Sequence, residues 1–536
     1  MAHLICPIPA IPGVRAAPAI PDISYAPDTE AAADGQPGEA EYKVPQSILI
    51  IGSGVFGLST AWSLARRPEI PPDTSITIID RSPEPNEFPA RDAASIDSSR
   101  IIRADYADSA YAKLASEAQK HWRQDLGNLD SLGGDGRYNE SGLLLAAENG
   151  KDGATVRSNG HPTGLGYTKH SWVNALALAH AEGRPLDTVR LLPSAWAIGK
   201  ATGTNGEWAD WGYMNTAAGW ADAGRSMRWL YDRVVETGRV TFVNGTVETL
   251  ETETEKQEHR VTGVRLSDGR SFSADLVIVA AGAWSPTLVD LAGQVAATGQ
   301  CVAYLRLTDD EQAKLAKIPV CLNLTDGCFV IPPRDNVLKI ARHSYGYFNP
   351  QPVSHEPLGS SVNNGSKPRV ISQPQTHLTD PSTTLPAEGA SDLRRALWRI
   401  IPWPELAERP FFETRLCWYT DTATGDWIID YHPSYKNLFV ATGGSGHGFK
   451  FLPVLGDKIV DCLLGKCPTQ FQEKWKWKGG VETNRDATRP VKGTAEEERR
   501  VDDEMAIELA VSTEDGSRGG EPGLILQTEL TKGAKL

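Results

Sequence analysis

The sequence predicts an α/β protein built on a doubly wound parallel sheet. Three observations lead to it. An apolar, β-branched run at 47–51 enters Gly52, Gly54 and Gly57, which stand at G-x-G-x-x-G spacing, and residues 58–65 read as the helix that follows. A second strand-like run, 75–80, ends in Asp80. Two more apolar runs, 275–284 and 437–444, lead into small-residue or glycine-rich turns. Strand ends meeting such turns are what a nucleotide-binding parallel sheet presents at its ligand edge, and their wide separation makes that domain discontinuous.

The glycine spacing has a chemical reason. Gly52 permits the tight turn, Gly54 lets the backbone approach a pyrophosphate, and Gly57 lets the helix pack close to the strand. The helix N-terminus then offers free N–H groups and a partial positive charge to the phosphates. Asp80 can accept a hydrogen bond from a ribose 2′-OH, and no basic residue stands there to favour a 2′-phosphate. The same pattern fits an ordinary core strand with a glycine turn, and by itself it does not choose between FAD and NAD.

Along the chain, residues 1–44 are rich in Pro, Ala and acids without periodicity and read as a disordered extension. The folded part starts at Pro45. Residues 239–247 form a strand–turn–strand pattern, and 437–450 form a strand and glycine-rich turn leading into a helix that ends near Leu464. The expected dinucleotide-binding domain takes 45–130, 211–294 and 411–466, and the second domain takes 131–210 and 295–410. Within the latter, 355–390 is rich in Ser, Pro, Asn and Thr and reads as a surface insertion. Residues 467–536 alternate charge runs with glycine and read as a mostly flexible tail with a short helix near 496–508.

With 536 residues, 40% hydrophobic and 23% charged, the chain can bury a large core and holds two or more domains. A net charge of −14 argues against a nucleic-acid partner. No apolar run approaches the roughly 20 residues of a spanning helix, so no membrane segment is expected. The N-terminus lacks a basic region followed by an apolar core, so no secretory signal is expected either. The seven cysteines (Cys6, Cys301, Cys321, Cys328, Cys417, Cys462, Cys467) are odd in number and form no C-x-x-C pair. That favours a reducing compartment over a disulfide framework and argues against a zinc site; no metal is expected. The last three residues, Ala534, Lys535 and Leu536, are a variant of the S-K-L peroxisomal address.

Four motifs, taken together, point to a known group. They are the glycine unit with Asp80; Ser-Ser-Arg-Ile-Ile-Arg at 98–103; Arg-Leu-Cys-Trp-Tyr-Thr at 415–420, with 427–430 and His432-Pro433 behind it; and Gly-Gly-Ser-Gly-His-Gly-Phe-Lys-Phe at 443–451. Over about residues 46–465 the chain resembles flavin amine oxidases of the monomeric sarcosine oxidase type, within the D-amino-acid-oxidase-like group. The wording of the last two motifs is most similar to L-pipecolate and fungal L-saccharopine oxidases, with fungal fructosyl-amine oxidases next. The resemblance implies FAD in a glutathione-reductase-type, Rossmann-like domain, with a second α+β substrate domain built on a mixed sheet.

It also implies roles. Cys417 matches the family cysteine bonded to the flavin, where a bare reading sees a buried strand cysteine. Arg103 and Lys450 match the pair that grips the substrate carboxylate, a planar fork and a point charge, against the bland alternative of surface ion pairs. Tyr419 matches a position beside the substrate. Lys339 and His343 match a strand in which the lysine reaches flavin N5 through water and promotes reaction with oxygen, while the histidine lies near the substrate. Period-two alternation puts both on one strand face, although a lone strand lysine is more often an exposed edge residue. A fixed cation there would favour an oxidase over a dehydrogenase. The remaining expected cofactor contacts are Val55 and Phe56 in the first turn, Arg81 after Asp80, and Ser99 with Arg100. Val247, Gly282 and Trp284 are expected behind that turn, and Gly444, Gly446, His447, Gly448 and Phe449 in the last motif beside Lys450.

One departure stands out: small members of the family carry a histidine where this chain has Ile96. The expected activity is FAD-dependent oxidation of the C–N bond of a secondary amino acid (pipecolate-, saccharopine- or sarcosine-like), giving an imine and hydrogen peroxide with oxygen as acceptor. Fructosyl amino acids are the alternative substrates. A tailoring oxidase or dehydrogenase of a carboxylate-bearing metabolite is a second reading, and a flavin-loaded binding module a third. Expected partners are the small-molecule substrate, oxygen and, through the C-terminus, the peroxisomal import receptor. The expected state is a monomer, in the peroxisome ahead of the cytoplasm, where catalase would meet the peroxide.

Overall fold

A computed structural model describes residues 44–81, 88–149, 154–158, 160–291, 293–360, 369–478 and 515–533. The expected N-terminal extension up to residue 43, the helix near 496–508 and the terminal Ala534–Leu536 signal lie outside the described residues. Among those described, no helix is long and apolar enough to cross a membrane.

The first sheet has six strands in the order Ile428–Tyr431, Leu438–Thr442, Leu276–Val279, Ser47–Ile51, Ser75–Asp80 and Val240–Asn244. All are parallel except the first, and Ile48 is paired with both Leu276 and Ile76. The central strands are continuous apolar runs because both sheet faces are covered. One face carries the helix Val55–Arg66, packed between Leu452–Leu463 and Ala223–Glu236. Against the other lies an antiparallel ladder, from which Val261, Val264 and Leu266 meet Leu49, Val277 and Val279. The glycine turn follows its expected logic. Gly52 has φ +100°, and a Cβ on Gly57 would stand 1.9 Å from the Gly52 carbonyl oxygen, so helix and turn touch backbone to backbone.

The second sheet has ten strands around the long strand Val295–Arg306, which pairs antiparallel with Val337–Arg342 and, along ten positions, with Glu413–Thr422. One face packs on the helix Ala387–Ile400 and the other faces the helix Gly164–Ala181. Sheet membership differs from the expected domain division at two strands. Glu413–Thr422 and Trp211–Asn215, assigned by sequence to the dinucleotide domain, pair here instead. Strand character is legible in a run of residues; the partner is not.

Two segments read as peripheral are built in. In the 355–390 insertion, Val370–Ser372 pairs with Pro350–Pro352, Ser372 Oγ donates to the Ala297 carbonyl, and the buried Thr376 donates to Asp92. Ser372 and Thr376 are satisfied by specific hydrogen bonds, which composition does not reveal. In the expected flexible tail, Phe471 and Trp475 of the helix Thr469–Trp475 are fully buried. Residues 515–533 rejoin the second sheet: Leu524–Ile525 pairs with Tyr347–Phe348, and the helix Leu526–Gly533 packs on Ala387–Ile400.

Candidate active site

A cleft of about 1360 Å³, its open mouth included, begins at the glycine turn and ends between the two sheets. Gly52, Gly54, Val55, Phe56, Asp80, Arg81, Val247, Gly282, Trp284, Gly444, Gly446, Gly448 and Phe449 line it, all of them expected. Gly57 does not, having spent its missing side chain on helix packing. Asp80 Oδ2 accepts from the backbone N–H and hydroxyl of Ser53 at 2.8 and 2.6 Å, and Oδ1 accepts from the Arg81 N–H at 2.8 Å. Burial raises its carboxyl against these bonds. Arg81 lies 4.0 Å over the Trp284 ring and pairs with both oxygens of Asp92. Backbone-lined at one end and closed by Trp418, Tyr419 and Thr420 at the other, the cleft fits FAD.

A second cavity of about 690 Å³, its open mouth included, adjoins it and shares Arg100, Tyr419, Gly446 and Phe449 as a common wall. Arg103, Lys339, His343, Cys417, His447 and Lys450 all line this smaller space. Residues more than three hundred positions apart therefore meet at one place. Ser99 lines neither space, contrary to expectation; it is buried, and its carbonyl accepts from Lys339 Nζ at 2.8 Å. Cys417, His447 and Lys450, expected at the cofactor, face the smaller cavity rather than the cleft. The Sγ of Cys417 lies 3.5 Å from Arg100 Nη2.

The polar groups are strongly ordered. Lys450 Nζ donates to the Tyr106 hydroxyl (2.9 Å) and to the His447 carbonyl (2.8 Å). His447 Nε2 must donate to the Gly425 carbonyl at 2.8 Å, so its Nδ1 accepts from Tyr106 at 3.0 Å. Burial and the Arg103 charge bring the Lys450 ammonium well below the usual lysine range. Arg103 is itself buried over the Tyr106 ring, and its Nη1 has no hydrogen-bond partner among the described residues. Lys339 is no edge residue: it stands mid-sheet, 3% exposed, with Nζ donating to Asp97 Oδ2 at 2.8 Å. Burial pushes its ammonium down to about 8, with Asp97 opposing that shift and Arg100 adding to it. Burial also lowers the His343 ring well below the usual imidazole range, reinforced by Arg518, Arg103 and Lys450.

Three residues escape the sequence reading. Asp97 receives Lys339, Arg100 and, at 2.6 Å, the Tyr304 hydroxyl; it lies one residue before the Ser-Ser-Arg motif and was within reach of it. Against burial, Lys339 and Arg100 hold its carboxyl well below the usual range. Tyr106 links Lys450 to His447 and carries no motif. Arg518 reaches His343 from the C-terminal segment, where charge and glycine runs conceal it.

The profile of the FAD dependent oxidoreductase family DAO matches residues 47–462. The amino acid oxidase imqH of Aspergillus flavus is 35% identical over 81% of this chain and 98% of its own. The L-saccharopine oxidase of Schizosaccharomyces pombe is 30% identical over 81% and 93%. Among solved structures, a modified fructosyl peptide oxidase from Aspergillus nidulans superposes with a TM-score of 0.67 at 28% identity, covering 81% of this chain and 94% of that one. The glycine-turn cleft, the polar cavity beside it and these likenesses agree: the chain belongs to the DAO family of FAD-dependent oxidoreductases.

Proposed function

We propose that this protein oxidises the C–N bond of a secondary amino acid with an apolar body, such as a pipecolate-like or N-alkyl amino acid, releasing hydrogen peroxide. The observation that carries the reading is the buried, unpartnered Nη1 of Arg103 beside the Lys450 ammonium. An unsatisfied buried donor costs about 1–3 kcal/mol, and a carboxylate relieves it with charge-assisted bonds to both side chains. Val302, Leu322, Phe329, Ile331 and Ala341 form the apolar part of the wall. Its other polar side chains, Gln300 and Arg342, are already engaged, by Thr298 and Ser344 and by Glu388 and Asp392.

FAD, when bound, supplies the ring that accepts the hydride and reacts with oxygen. Arg103 and Lys450 hold the carboxylate and so orient the carbon bearing the amine. The guanidinium groups of Arg100 and Arg103 and the Lys339 ammonium disfavour a further positive charge in the cavity, which promotes the neutral, oxidisable amine without a dedicated base. The acid Asp97 is tied up by Lys339 and Arg100. The Lys339 ammonium is the candidate for stabilising negative charge on reduced oxygen. Cys417, which lines the smaller cavity beside the shared Arg100, is the candidate for a thioether to the flavin.

The likeness to fructosyl peptide oxidase structures supports fructosyl amino acids as the second reading. Peroxide release across N-methyl apolar amino acids, pipecolate, saccharopine and a fructosyl amino acid separates the two. The apolar secondary amino acids should give the highest kcat/KM, and a preference for the sugar adduct would overturn the proposal.

A further inference from the structure

Arg518 is 1% exposed and enters from outside the family-matching region, on a segment tied to the second sheet by the bridge between Ser344 and Gly519. Both terminal nitrogens of its guanidinium are engaged. Nη2 donates to Asp421 Oδ1 at 2.5 Å and to the Ser445 carbonyl at 2.8 Å, and Asp421 Oδ2 is held by Thr298 Oγ1 at 2.6 Å. Its Cζ lies 5.2 Å from the Tyr419 ring centroid. Nε has no hydrogen-bond partner among the described residues, and Nη1 lies 3.0 Å from His343 Nδ1.

A guanidinium has only donors and keeps its charge at every accessible pH. His343 Nδ1 must therefore accept, and the single ring proton of the neutral imidazole sits on Nε2. Protonating Nδ1 would set two donors face to face. We propose that Arg518 is a positioning residue that locks His343 as the neutral Nε2–H tautomer, so that the ring offers the substrate cavity a hydrogen-bond donor and never a proton acceptor. The assignment rests on reading the smaller cavity as the substrate site. The other groups around the ring work in the same direction. Arg103, Lys450 and His447 oppose a charge on it, while Tyr419, its ring 5.8 Å away, brings no charge of its own. The Asp421 carboxylate is on the far side of Arg518 and is neutralised by it. A neutral donor that cannot titrate would let the cavity bind a carboxylate over a wide pH range without His343 competing for the amine proton.

The test is nitrogen NMR of the full-length flavin-loaded protein labelled with ¹⁵N-histidine, with H343Q for assignment, across about pH 5.5 to 9. Wild type should show His343 with Nδ1 unprotonated and Nε2 protonated throughout. R518K, which keeps a cationic donor, should preserve that pattern. R518M is paired with D421N so that no buried carboxylate is left unpartnered. In this double variant His343 should titrate or mix tautomers, and kcat/KM should acquire a new acidic limb. A protonated Nδ1 in wild type overturns the inference even if the double variant does not fold, and so does an unchanged His343 in a folded double variant. The correct tautomer with no amine turnover would instead sink the reading of the cavity and leave the tautomer assignment standing. Turnover with Nδ1 protonated would do the reverse.

Discussion

At the scale of single residues, the site is a set of buried cations whose hydrogen bonding is unequally satisfied. Asp97 compensates Lys339 and Arg100, whereas Arg103 keeps an unpartnered Nη1. R103M should therefore weaken the substrate and not the flavin: hydrogen bonds to charged groups contribute about 1.5–3 kcal/mol, so kcat/KM should fall about 10- to 100-fold. Steady-state kinetics with a flavin absorption spectrum checks both halves, and a bleached protein with normal kcat/KM per flavin would contradict it. Lys339 gives a pH prediction. With its ammonium brought down to about 8, the cation is present below that pH and lost as pH rises through it. Air reoxidation of the reduced flavin should be fastest below pH 8 and slow above it. K339M should be slower by about 100-fold and flat with pH, since a preorganised charge has that order of effect. Stopped-flow reoxidation measures both.

At the scale of elements, the glycine turn 443–448 is backed by an aromatic pile that includes the unexpected helix Thr469–Trp475. Trp475 stacks on Phe471 at 4.0 Å and on Trp427 at 5.2 Å, Trp427 stacks on His447, and Trp475 Nε1 donates to the Tyr111 hydroxyl. W475A should cost about 3–5 kcal/mol and weaken retention of flavin, read by thermal melting and by flavin released on dilution. Cofactor loss with no drop in melting temperature would argue against a packing role. That helix also shows where legibility stops. The strand–turn–helix units at 47–65 and 437–463 were readable because period, glycine spacing and apolar runs all point the same way. Thr469–Trp475 has two buried aromatics in a charged context, and Arg518 is one buried cation in a glycine-rich stretch, so neither has a local pattern to read. Lys339 was legible as a site residue only through resemblance; its burial comes from two flanking strands that pair with it, and pairing is a property of the whole sheet.

At the scale of the whole molecule, the flavin cleft is the seam between the two sheets. The parallel sheet supplies Gly52, Asp80 and Thr442, and the mixed sheet supplies Trp418, Tyr419 and Thr420 from a single strand, which also carries Cys417. A cofactor in that seam touches both sheets, so its binding free energy is shared by the fold as a whole. A ligand that binds only the native state stabilises it by about 2.7 kcal/mol at a free concentration one hundred times its Kd. A tethered flavin is different, because it remains attached in the unfolded chain and its effect does not depend on free flavin. If Cys417 holds the cofactor, wild-type melting should be insensitive to added FAD, and acid-precipitated wild type should stay yellow. C417S should release its flavin on dilution and melt at a temperature that rises with added FAD. Thermal melts of both proteins over a series of FAD concentrations decide it. Equal sensitivity in the two would mean that Cys417 is an ordinary buried thiol, and that hydrogen bonds and packing from the two sheets are what hold the flavin.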